Sequence, residues 1–215
     1  NAFLFEQIRD AVGQRILEVG AGTGNLTRFL LDRDAVVATD VDPRYTELLE
    51  RRFERSANVS VANFALAAPV PPELAGRRFD TILCLNVLEH VADDRAALTR
   101  LRDLLEPGGR LELLVPAHRG LFGSIDRAIG HFRRYERVEL ERLLEATAFR
   151  VERLFPVNAT SIPGWYLNGR ILRRASVPGM QARLADRLVP LYRLERRFDL
   201  RFGLSMIVFA RRSEA

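Results

Sequence analysis

Residues Ile16 to Thr27 read ILEVGAGTGNLT. A short apolar run ends in Gly20, Gly22 and Gly24, and a second apolar pattern follows. Glycine weakens strands and helices alike. Three glycines within five residues therefore mark a place where the chain turns sharply or something lies directly on its backbone. A strand that ends in such a turn and leads into a helical pattern is one unit of an alternating α/β fold.

The rest of the chain repeats the alternation. Helical spacing runs from Phe3 to Val12 (Phe5, Ile8, Val12), strands are expected at Arg15–Val19 and Ala35–Thr39, and Asn25–Leu31 reads as a helix between them. Pro43 opens a helix carrying Tyr45, Leu48, Leu49 and Phe53, as its first-turn preference allows. Val59 and Val61 mark a third strand, residues 67–76 a Pro-rich loop, Phe79–Leu85 a fourth strand and Arg95–Leu105 a helix. Pro107-Gly108-Gly109 stops that helix before a fifth strand at Leu111–Val115. Two further strands are expected at Phe149–Phe155 and Leu204–Ala210. Between them, residues 156–203 carry two amphipathic patterns, one with Trp165, Leu167, Ile171 and Leu172, the other with Leu184, Leu188, Leu191, Leu194 and Phe198. With 215 residues the expectation is one domain over 1–215, a parallel sheet covered on both faces, with 156–203 packed on it.

Composition narrows the partners. Cys84 is the one cysteine, so no intramolecular disulfide forms and a reducing, cytoplasmic setting is expected. No Cys/His cluster has zinc spacing and three histidines are few, so no metal is expected. The chain opens at Asn1, which leaves room for a preceding piece. All 33 basic residues are arginine, and the net charge of +5 is concentrated from Val151 onward, where 12 Arg meet 5 Asp and Glu. Such a basic face suits phosphate, an acidic substrate, an anionic membrane, or plain solvation.

The turn has an acidic partner. The second strand ends in Asp40, sixteen residues after Gly24, where a carboxylate can accept both hydroxyls of a ribose. The glycine spacing is G-x-G-x-G, not the G-x-G-x-x-G of dinucleotide sites. Glu18 lies inside the strand just before the turn; a carboxylate there would repel a pyrophosphate and attract an ammonium. A nucleoside cofactor with an amino acid end is expected.

EVGAGTG, then ATDVDP, FDTILCLNVLEHV and LEPGGRLELLVP, resemble the class I S-adenosylmethionine-dependent methyltransferases over roughly residues 1–155, and the final LSMIVFARR also fits. The resemblance implies a Rossmann-like sheet of seven strands, mostly parallel, helices on both faces, the last strand antiparallel, with a helical insertion between the sixth and seventh. It implies that Glu18, Gly20, Ala21, Gly22 and Asn25 hold the methionine end of S-adenosylmethionine, that Asp40 binds the ribose and that Val41 flanks the adenine. It places Asn63 and Phe64 at the adenine cap, where many relatives carry an Asp, and Asn86 and Val87 in the segment that closes over the cofactor. The Asn-Pro-Pro-Tyr motif of planar-amine acceptors is absent: that position reads Asn86-Val87-Leu88-Glu89-His90.

Methyl transfer is mainly a matter of holding nucleophile, carbon and sulfur in line, and a hydroxyl acceptor must also lose a proton. Residues 117–136 resemble the lid of bacterial methyltransferases of polysaccharide and glycolipid pathways, whose GHxRRY pattern reads here Gly130-His131-Phe132-Arg133-Arg134-Tyr135. His131 is expected as the base, with His90 at the pocket, Arg134 or Arg133 on an anionic group of the acceptor, and Tyr135 beside them; Arg134 pairing Asp126 and Tyr135 packing behind the lid are the structural alternative. His118 follows the fifth strand. The acceptor is expected to be a small molecule or a lipid- or sugar-linked one, methylated at oxygen rather than nitrogen. Residues 163–175, with Arg170, Arg173 and Arg174 beside apolar side chains, suit a substrate cap, a homodimer surface or peripheral contact with the inner membrane face. Protein or RNA methylation and a binding module without turnover are the rivals; no RNA module is recognisable.

Overall fold

The computed structural model describes residues 2–176 and 202–213. One sheet runs through it, built from β1 (Arg15–Val19), β2 (Ala35–Asp40), β3 (Val59–Asn63), β4 (Phe79–Leu85), β5 (Leu105–Pro116), β6 (Phe149–Val157) and β7 (Ser205–Arg212). The strands lie in the order β3-β2-β1-β4-β5-β7-β6. Pairs from β3 to β5 are parallel, and β7 runs antiparallel to both β5 and β6. The seven-stranded architecture implied by the resemblance is therefore present.

Apart from their first residues, β1 and β2 are buried throughout, as strands covered on both faces must be. One face carries Leu17, Val19, Ile82, Cys84, Leu113 and Val208 against Leu98, Leu101, Leu140 and Leu144 of α3 (Asp94–Leu104) and α5 (Arg137–Glu145). The other packs Ile16, Leu83, Leu114 and Ile207 against Ile8 of α1 (Ala2–Ile8) and against Leu26 and Leu30. Asp42 caps α2 (Pro43–Phe53), its carboxylate accepting from the Arg44 N–H at 2.9 Å. On β5, Glu112 is fully buried, and among the described residues neither of its carboxylate oxygens has a hydrogen-bond partner. Burial pushes it up to about 9, so it enters the native state protonated, and its contribution to stability declines as pH rises from the ordinary carboxylate range through 9.

Two expectations are corrected. The helix expected over Asn25–Leu31 is a single 3-10 turn, Thr27–Phe29. Its bonds run three residues back, Phe29 N–H to Leu26 O at 2.8 Å and Leu30 N–H to Thr27 O at 2.9 Å. Leu26 and Leu30 are anchored in the core at its two ends, and so short a segment has no length over which an α-helix repays its nucleation. The insertion, expected on the sheet, begins with α6 (Ile162–Tyr166) and a π-helical turn, Leu167–Ile171, and these sit on the lid segment. Gly169 lies against Ile125 and Gly123 of the lid, Arg170 donates to Phe122 O at 3.1 Å, and the Arg134 guanidinium lies 4.8 Å from the centre of the Trp165 ring. Ile171 and Leu172 are exposed. The second amphipathic pattern, Leu184 to Phe198, lies outside the described residues.

Candidate functional site

The strand order reverses between β1 and β4, and in open α/β sheets ligands sit beyond the carboxyl ends of the strands at that point. Two clefts meet there. One, of about 410 Å³, is lined by Gly20, Asp40, Val41, Phe64 to Ala67, Asn86, Val87 and His90. The other, of about 240 Å³, is lined by Glu18, Gly20 to Thr23, Asn25, Leu26 and Asn86. Gly20 and Asn86 belong to both, so the clefts join over them.

The turn is held by its neighbours. Ala21 N–H donates to Thr39 O at 2.8 Å. The Asp40 carboxylate accepts from Gly22 N–H at 2.9 Å and from Asp42 N–H at 3.0 Å, one on each oxygen. Asn25 donates to Thr23 Oγ1 at 2.9 Å, and Arg52 reaches Asn25 Oδ1 and the Thr23 carbonyl. A side chain added at Gly20 would stand 2.5 Å from Val87 Cγ2, and one at Gly24 2.5 Å from Phe53 Cε2. Around Gly22 a side chain would meet nothing of the described residues within 4 Å. Of the three glycines, only Gly22 faces open space; the other two are required by packing. Asn86 turns the chain after β4 at φ 57°, a conformation that asparagine tolerates.

Glu18 is buried at the floor of the smaller cleft and accepts from Thr27 Oγ1 at 2.7 Å. Burial raises its pKa to about 7, against the opposing hydroxyl. In the larger cleft Phe64 is buried in the wall. Asn63, expected beside it, is exposed and donates its amide to Val41 O at 3.1 Å, because alternation along the chain turns Phe64 in and Asn63 out.

The lid meets the larger cleft through the turn Leu88–His90, pinned by Phe132 N–H to Glu89 O at 2.8 Å. His90 lines the cleft; His131 does not. His131 stands behind it, 8 % exposed in its side chain, ring centres 4.7 Å apart and edge to face. Burial first, then His131, lowers the pKa of His90. His131 Nδ1 lies 3.1 Å from Asp126 Oδ1. Burial alone would raise Asp126, but His131, Arg134 and the Gly123 N–H together hold it below the usual range.

The acceptor roles expected of Arg134 and Tyr135 are corrected. Arg134 is buried, its Nε 2.8 Å from Asp126 Oδ1 and its Nη1 3.0 Å from Ala117 O. Tyr135 is buried and donates to Asp94 Oδ2 at 3.2 Å. Both hold the lid in place. His118 sits apart from both clefts, 3.6 Å from Glu136. Sequence reasoning missed Glu89: its carboxylate is buried beside His131 and pushed up to about 7 by burial. The only signal was its place in LEHV beside His90.

Known proteins agree with this geometry. A family described as "Methyltransferase domain" matches residues 17–111, the span from β1 into β5. Over that span the chain matches a methyltransferase domain. The chain is 39 % identical over 102 residues to a ubiquinone biosynthesis O-methyltransferase of Cereibacter sphaeroides, covering 45 % of this chain and 39 % of that protein. It is 29 % identical over 155 residues to a demethylmenaquinone methyltransferase of Tropheryma whipplei, covering 72 % of this chain and 61 % of that one. The chain spans about 39 % of the length of the ubiquinone biosynthesis relatives it matches. Its fold matches the N-methyltransferase NodS of Bradyrhizobium japonicum, solved with S-adenosyl-L-homocysteine, at a TM-score of 0.64 and 16 % identity over 99 % of this chain and 85 % of that one.

S-adenosylmethionine is the cofactor that these similarities imply, and the two clefts fit it. The open space over Gly22 leaves room for a ligand on the backbone. A carboxylate stands in each cleft, Glu18 for an ammonium and Asp40 for ribose hydroxyls. Because burial keeps Glu18 largely neutral below pH 7, and an ammonium needs its ionised form, cofactor affinity is expected to rise roughly 25-fold from pH 5.5 to 7.5. Calorimetry across that range checks this, with Glu18→Gln expected to bind weakly and without the slope.

Proposed function

We propose that this chain transfers a methyl group from S-adenosylmethionine to an oxygen of a small-molecule acceptor. The observation that carries the reading is the pair of joined clefts, with Glu18 at the floor of one and Asp40 in the wall of the other. A bound sulfonium supplies an electrophilic methyl group. The chain's own residues do the positioning: Glu18 and the glycine turn fix one end of the donor, Asp40, Val41 and Phe64 the other, and Asn86 sits at the junction between them.

On the acceptor side the chain offers His90. Burial and the neighbouring His131 lower its pKa, which favours the neutral imidazole that can meet an acceptor group. The O-methyltransferases among its relatives support oxygen as the acceptor atom. A lipid- or sugar-linked acceptor is the finer reading. Support for it is the exposed Tyr166, Leu167, Ile171 and Leu172 beside Arg170, Arg173 and Arg174, a cap for an apolar acceptor or a contact with the inner membrane face; a homodimer surface is the rival use. Among the described residues no helix is long and apolar enough to cross a membrane.

The test uses methyl-labelled S-adenosylmethionine, the protein, and source-cell extract divided into water-soluble and lipid fractions. Label in the lipid fraction is expected from a lipid-linked acceptor, and label in soluble small molecules leaves residues 163–175 to packing. Label in protein or RNA replaces the small-molecule acceptor. No label in any fraction, with cofactor binding intact, overturns the enzymatic reading in favour of a binding module without turnover.

A further inference from the structure

Glu89 is the least satisfied charge near the site. Its side chain is 1 % exposed, and among the described residues neither carboxylate oxygen has a hydrogen-bond partner. A carboxylate buried in that way costs several kcal/mol unless a positive group meets it. The group it faces is His131, whose Nε2 lies 3.7 Å from Glu89 Oε1.

The tautomer of His131 follows from its other nitrogen. Asp126 accepts from Gly123 N–H at 2.8 Å and from Arg134 Nε at 2.8 Å, so it is an ionised acceptor, and the Nδ1 facing it at 3.1 Å carries the proton. In a neutral ring Nε2 then bears the lone pair. A lone pair and a carboxylate oxygen face each other across 3.7 Å. That separation is too long for an N–H···O hydrogen bond, which spans about 2.7–3.2 Å. It is close to the ~3.4 Å that separates two ligands each about 2.1 Å from a shared tetrahedral metal.

His90 completes the arrangement: ligand atoms of Glu89, His90 and His131 all lie within 4.8 Å of one another.

We propose that Glu89, His90 and His131 form a divalent transition-metal site, zinc being the metal its donor set suits, opening through His90 onto the larger cleft. Two imidazoles and a carboxylate with a further position open is the donor set of catalytic zinc centres. Asp126 behind His131 is the outer carboxylate that orients a ligating imidazole. Magnesium, which prefers oxygen donors, fits poorly. Composition argued against any metal because no Cys/His cluster has zinc spacing; His131 lies beyond α3 and β5 from Glu89 and His90, and the lid brings it to them. The site's use, to hold an acceptor oxygen beside the methyl donor, rests on the methyl-transfer reading, whereas metal binding itself does not.

The test is calorimetric titration of Zn²⁺ into the full chain after dialysis against EDTA. One equivalent is expected to bind at micromolar or tighter affinity, weakened more than 100-fold in Glu89→Gln. Asp126→Asn is expected to lose 10- to 100-fold. Glu89→Gln removes the buried charge with little change of shape, so its metal-free melting temperature is expected to match or exceed that of the parent, which separates lost binding from lost fold. Absence of stoichiometric Zn²⁺ binding, or equal binding by Glu89→Gln, overturns the site. So does a ¹⁵N spectrum of the metal-free protein with both His131 nitrogens protonated and unmoved by Zn²⁺, because a proton then fills the gap. Binding of S-adenosylmethionine in EDTA is read in parallel: if it persists without metal binding, only the metal site falls, and if Zn²⁺ binds but S-adenosylmethionine does not, only the methyltransferase reading falls.

Discussion

Asp40→Ala is expected to weaken S-adenosylmethionine binding by more than tenfold. An ionised carboxylate offers about four acceptor positions, and the turn uses two of them, for Gly22 N–H and Asp42 N–H. One position on each oxygen is left for a ribose hydroxyl. Hydrogen bonds to a charged acceptor contribute about 1.5–3 kcal/mol each, so losing even one corresponds to roughly 10- to 150-fold. Asp40→Asn keeps one acceptor oxygen and loses the charge, and is expected to fall between alanine and the parent. Calorimetry at constant pH and salt measures all three. The substitution also frees two backbone N–H groups, so the melting temperature without cofactor must be read beside the affinity. An affinity unchanged in Asp40→Ala would remove the ribose assignment, and a loss that only tracks unfolding would assign Asp40 to holding the turn.

What could be read from the sequence follows from which interactions are local. Strand positions were accessible because buried parallel strands are short apolar runs between helical patterns, and β1, β2 and β4 sit at the runs expected over Arg15–Val19, Ala35–Thr39 and Phe79–Leu85. Glu18 and Asp40 were accessible because each is fixed relative to a strand end. The helix expected at 25–31 failed for the opposite reason: its apolar spacing is helical, but Leu26 and Leu30 answer to the core and not to the helix period. The lid failed in a third way. GHFRRY gathers residues capable of chemistry, yet which of them faces the cleft depends on Asp126 and Asp94, partners on other elements. Asp126 draws in Arg134 and the back of His131, Asp94 takes Tyr135, and His90 is left at the wall. Glu89 could not be singled out because an acidic residue in a turn is ordinary until its burial is known.

The glycine turn gives the second large effect, because its three glycines are expected to respond differently. Gly24→Ala places a methyl 2.5 Å from Phe53 Cε2 and 2.8 Å from Leu49 Cδ2, both buried side chains of α2. Overpacking of that kind costs about 1–3 kcal/mol, and the left-handed backbone at φ +74° adds about 1–2 kcal/mol for any residue with a Cβ. A loss of about 2–5 kcal/mol is expected in urea unfolding, a large part of what a domain of this size has to spare. Gly22→Ala meets no atom within 4 Å, so only the backbone term applies, about 1–2 kcal/mol. Its methyl instead occupies the space over the turn where the cofactor is expected to lie, so affinity should fall further than stability does. Gly24→Ala should show the reverse at temperatures where it stays folded. Equal losses of stability in the two variants would mean that the turn repacks freely around α2. A Gly22→Ala variant with parental affinity would mean that the cofactor does not lie against that backbone.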